Sequence, residues 1–130
     1  MNNSDPESPL DGHVDQGELA GCTDGQATLV EDVRGQSTGR KGRPGAKAVL
    51  DLPTTKVVAF EFEAGDELRE HAARHPVLIQ VLRGKVEFTL PDRSLELEPG
   101  ALLHLTPMLR HAVRALEPTT LTVTMLLPHD

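Results

Sequence analysis

The 130-residue sequence predicts an all-β fold, an antiparallel sandwich or barrel preceded by an N-terminal extension. Three observations predict it. From residue 48 onward, apolar and polar residues alternate with a period of two in several short runs. Turn-forming residues separate those runs at close spacing. No segment of this region has a helical period.

Taken in order, residues 1–26 are rich in Gly, Asp, Ser and Pro and lack any hydrophobic period. Such a segment buries too little apolar surface to offset its ordering entropy, so a disordered tail is expected. Residues 27–33 suit a short strand or a helical turn equally well. Residues 35–47 read as a basic, Gly-rich linker, broken by Gly35, Gly39, Gly42, Pro44 and Gly45. Its cluster of Arg40, Lys41, Arg43 and Lys47 suits a solvated linker, or a grip on phosphate or an acidic partner.

The barrel is placed at 48–130. Residues 56–63 form the first strand, with Val58, Phe60 and Phe62 opposite Val57 and Ala59. Residues 76–83 form a strongly apolar run. Residues 85–90 set Val86, Phe88 and Leu90 against Lys85, Glu87 and Thr89. Leu95 and Leu97 alternate with Glu96 and Glu98, and a further strand holds His104. Residues 121–127 set Leu121, Val123, Met125 and Leu127 against Thr122 and Thr124. The breaks fall at Gly84, at Pro91 and Asp92, at Pro99 and Gly100, and at Pro118, all turn residues. By the same parity, Glu61, Glu63, Glu87, Glu96 and Glu98 are expected to face solvent.

Composition narrows the function. With three Phe and neither Tyr nor Trp, the core must be built from Leu, Val and Ala. A net charge of −7 opposes binding to nucleic acid or an anionic membrane, and base-stacking aromatics are lacking. No apolar run approaches the roughly 18 residues that span a bilayer. The first ten residues lack the basic start and apolar stretch of a secretory signal, and Cys22 has no second cysteine to pair with. A cytoplasmic protein is expected. A domain of about 80 residues buries only about 60% of its unfolded surface, so a homodimer is expected too.

Two stretches carry a resemblance. Gly65 is followed after five residues by His71, then Ala73, Val77 and, after six more, Gly84. Gly100 is followed by Thr106, Met108 and His111. The frame resembles the two motifs of the cupin superfamily, with the short spacer of small single-domain bacterial cupins. The first motif has Gly, two His, Glu and Gly at the positions of Gly65, His71, Ala73, Val77 and Gly84. The second has Gly, Pro, Gly and His at the positions of Gly100, Thr106, Met108 and His111. The resemblance covers residues 51–127 and implies an antiparallel double-stranded β-helix, the cupin or jelly-roll barrel.

A typical cupin holds a metal with three His and one Glu. Of these, His71 and His111 are kept here, whereas Ala73 has no donor and Val77 replaces a carboxylate with hydrocarbon. If the segment were extended, positions 71, 73, 75 and 77 would share a face, and His75 would supply a third imidazole. His71, His75 and His111 are thus the candidate metal ligands, for Zn, Fe, Mn, Ni or Cu. The candidate ligand pocket is His71, Ala73, Val77, Ile79, Val86, Phe88 and His111. His104 is expected to be a satisfied strand histidine, and His13 and His129 exposed tail residues.

Cupins include dioxygenases, isomerases, sugar-binding regulators and non-enzymatic binders, so fold does not fix activity. With two ligands replaced, a small-molecule-binding module is the leading expectation. The alternatives are a metal-dependent dioxygenase or isomerase using the three His, and a protein-interaction accessory module working through its N-terminal arm.

Overall fold

The computed structural model describes residues 25–34 and 38–128. Among these, nine strands form: β1 (Gly45–Asp51), β2 (Thr55–Phe62), β3 (Glu67–His71), β4 (Val77–Arg83), β5 (Val86–Thr89), β6 (Ser94–Leu97), β7 (Leu102–Leu105), β8 (His111–Ala115) and β9 (Thr119–Leu126). They build two antiparallel sheets, one in the order β1-β2-β9-β4-β7 and the other β3-β8-β5-β6. Tail residues 1–24, with His13 and Cys22, lie outside the described residues, as does His129. No helix among the described residues is long and apolar enough to cross a membrane.

The inner faces follow the sequence alternation. Val77, Ile79 and Val81 of β4 are buried, as are Val86 and Phe88 of β5 and Leu121 of β9. With Phe62, Leu90, Leu97, Leu105, Val113 and Ala115 they form one core between the sheets. Pairing Ile79 with Val123, and Val81 with Leu121, puts the apolar positions of β4 and β9 on the same inner face. The β5–β6 turn is a two-residue loop of Pro91 and Asp92, closed by Leu90 N–H donating to the Arg93 carbonyl at 2.7 Å.

Three expectations need correction. First, Gly45 to Lys47 belong to β1 rather than to the linker, because β1 pairs with β2 from Gly45 opposite Glu61. Residues 27–33, in contrast, form neither strand nor helix. Second, β3 stops at His71 and β4 starts at Val77, so 72–76 is a loop and strand parity does not govern it. Third, the Glu61 side chain is only 12% exposed. It accepts a hydrogen bond from Thr120 Oγ1 at 2.7 Å and faces Arg83 at 3.4 Å. The outer face there is sheltered by neighbours, Ala59 and Thr120 being fully buried.

Beside that cluster, a turn closed by Arg43 N–H to the Arg40 carbonyl folds back onto Glu67, whose N–H donates to the Gly42 carbonyl at 3.0 Å. The hollow under it mixes Arg40, Lys41, Arg43 and Arg83 with Glu61, Glu63 and Asp66. The basic cluster therefore does not present one sign of charge.

Candidate functional site

Between the sheets lies a cavity of about 390 Å³. Its wall comes from both: Phe60, Ile79, Leu121, Val123 and Met125 from the larger sheet, and Leu68, Phe88 and Val113 from the smaller. Each occupies an inward position of its strand, which is why hydrocarbon dominates. The loop between β3 and β4 closes one end with Ala72, Ala73, Arg74 and His75. His71 and Arg74 are exposed, so the cavity reaches the surface beside them.

Two imidazoles form its polar end. His71 closes β3 and His111 opens β8, and the two are direct partners in the antiparallel register. Directly opposite residues project to the same face, so their rings meet, centroids 4.3 Å apart and tilted by 59°. His111 also stacks on Phe88, at 5.4 Å and 9°. It is 6% exposed, whereas His71 stands at the mouth.

Both rings are held the same way. His71 Nδ1 lies 2.8 Å from the Arg69 carbonyl and His111 Nδ1 2.9 Å from the Leu109 carbonyl. A carbonyl oxygen can only accept, so Nδ1 carries the proton in each ring, and Nε2 bears a lone pair when the ring is neutral. Burial holds His111 below its ordinary pKa of 6.5; the Leu109 carbonyl opposes this, and the neighbouring His71 adds to it. On the other side of the strand pair, Glu70 is 3.6 Å from Arg110, outside the cavity.

The four positions matching metal-ligand positions of the motifs, 71, 73, 77 and 111, do converge on this one cavity. They bring two imidazoles, a methyl group and an isopropyl group. His75 lines the same wall, but among the described residues no group of three or more His, Cys, Asp or Glu is gathered as a metal site. The donor set does not fit a three-His, one-Glu centre.

Of the predicted pocket residues, His71, Ala73, Val77, Ile79, Phe88 and His111 line the cavity. Val86 does not: it is fully buried in the core. Phe60, Leu68, Val113, Leu121, Val123 and Met125 were not anticipated, although the inward parity of their strands marks them. His104 is exposed on β7, opposite Leu78 and facing away from the cavity.

Met108, at the internal Gly position, has φ +69°. Its N–H donates to the Ala73 carbonyl at 2.7 Å, tying the β7–β8 loop to the β3–β4 loop at the cavity mouth.

No family model matches the sequence, and no curated protein matches it. Solved structures do. One is an RmlC-like cupin protein from Desulfovibrio desulfuricans, with a TM-score of 0.62 and 29% identity, covering 80% of this chain and 97% of that one. A conserved protein with a double-stranded β-helix domain from Klebsiella pneumoniae has a TM-score of 0.68 at 19% identity, covering 77% and 90%. A cupin superfamily protein from Desulfitobacterium hafniense has a TM-score of 0.63 at 19% identity, covering 69% and 83%.

Proposed function

Starting from a chain with the cupin double-stranded β-helix fold, we propose that it is a small-molecule-binding barrel whose ligand is mainly apolar with one polar end. The observation that carries this reading is the cavity of about 390 Å³, walled by hydrocarbon and ended by the His71–His111 pair. A concave, mainly apolar site with a few convergent polar groups is the usual form of a small-molecule site. Ala73 and Val77 support it further, since they make the wall drier and less anionic than a metal centre needs.

The test is calorimetry of purified protein against small aromatic compounds. One-site saturable binding is expected, and Ala73→Phe, which fills the mouth, should abolish it. Metal content is measured on the same sample. Near-stoichiometric metal that disappears in both His71→Ala and His111→Ala would replace this reading with the metal-dependent dioxygenase or isomerase. One observation favours that second reading: His75 shares the cavity wall with both histidines.

The barrel would work as a homodimer. Leu82, Leu102 and Leu126, which are 40%, 62% and 39% exposed, lie on the outer face of the larger sheet and support this. A single cysteine, Cys22, suits a reducing compartment such as the cytoplasm. The accessory-module alternative predicts that deleting residues 1–24 abolishes binding to a partner protein.

A further inference from the structure

We infer that the cavity selects an uncharged ligand carrying an acidic O–H group, a phenol, enol or undissociated carboxylic acid, and that the O–H donates to His111 Nε2. The inference rests on the small-molecule reading above and goes on to name the ligand's chemistry.

The argument starts from the ring. His111 is 6% exposed, and its Nδ1 is committed to the Leu109 carbonyl at 2.9 Å. Nε2 has no hydrogen-bond partner among the described residues. The stacked Phe88 ring covers one face of the imidazole. An acceptor on a ring this buried is favoured by a direct donor, so a ligand that supplies one gains at this position.

Among the described residues, no donor of the wall is hydrogen-bonded to His111 Nε2. The polar side chains of the wall are His71, Arg74, His75 and His111. His71 Nδ1 is committed to the Arg69 carbonyl, so in the neutral ring its Nε2 is an acceptor too. Arg74 is exposed at the mouth. A ligand ending in an ether or ketone would bring an acceptor against two acceptors. A carboxylate placed at His111 would do the same with a full charge beside Ile79, Leu121 and Val123, the cation of the wall, Arg74, being at the exposed mouth. A neutral O–H satisfies the lone pair and leaves an apolar body for the remaining wall.

The experiment compares 4-propylphenol with its methyl ether, 4-propylanisole, by calorimetry on chelator-treated full-length protein. The two differ in the donor and by one methyl group, whose bulk the His111→Phe comparison below controls for. The phenol is expected to bind at least tenfold tighter, because a site built around a hydrogen bond discriminates strongly against a partner lacking it. The preference should vanish in His111→Phe, which keeps a ring stacked on Phe88. Equal affinities in the parent protein would overturn the inference while leaving the apolar-cavity reading intact. Binding of neither compound would overturn both. A preference that persists in His111→Phe would overturn the role of His111. Should that variant fail to fold, ¹⁵N spectra of the parent decide: the His111 Nε2 resonance should move with the phenol and stay in place with the ether, and a resonance unmoved by the phenol overturns the inference.

Discussion

Met108 holds a left-handed backbone, φ +69°, in which an L side chain is strained by about 1–2 kcal/mol. Glycine removes that strain but loses more chain entropy on folding, about 0.5–1 kcal/mol. Met108→Gly is therefore expected to stabilise the fold by about 0.5–1 kcal/mol, read as a higher urea midpoint at unchanged slope. His111 gives a pH dependence whose sign is fixed. Burial lowers its pKa from 6.5 in the folded state, so below 6.5 the unfolded chain binds a proton that the folded chain refuses. This contribution is fully present above 6.5 and is lost as pH falls toward the folded value. The chelator-treated parent should therefore lose more melting temperature on acidification than His111→Phe does. Ala73 and Val77 give a gain-of-function test. The double substitution Ala73→His, Val77→Glu would complete four ligands on one cavity. Its melting temperature should rise with added manganese or zinc, by the equivalent of about 2.7 kcal/mol at a hundredfold excess over Kd. A response no larger than the parent's would mean the four positions do not converge closely enough to share an ion.

Strands and turns were the most legible level. The alternation in β5, with Val86 and Phe88 inward, holds because one face meets a core and the other meets solvent. Where a strand has neighbours outside as well, parity misleads, as with Glu61, which is packed against Thr120 and Arg83. The start of β1 is hidden in the sequence because Gly45 and Lys47 conceal an edge strand held by its pairing to β2. The start of β9 was missed because Thr119 and Thr120 read as polar, yet both are fully buried. Thr119 Oγ1 accepts from Lys85 N–H at 3.1 Å, and its neighbour in space is Gly84. Gly84 has φ +90°, and a Cβ there would strike the Pro118 carbonyl and Thr119. Gly84→Ala is expected to cost about 2–4 kcal/mol in denaturant unfolding, since backbone must shift. Phe88→Ala, at 0% exposure in the core, should cost about 3–5 kcal/mol.

At the scale of the molecule, motif spacing located the site better than it described it. It named the four converging positions, but not the wall from β2, β8 and β9, because lining depends on how two sheets close over each other. The same closure buries Val86 away from the cavity while leaving Phe88 on it. Sedimentation is expected to give twice the chain mass, and Leu102→Asp to shift it toward the monomer. The Met108 N–H donates to the Ala73 carbonyl across the mouth of the cavity. This bond joins the two loops, so they form a single strap rather than two independent flaps. Traffic through the mouth is then a matter of time as well as of fit. Changes at position 108 should alter how long a guest stays before they alter how many sites it fills.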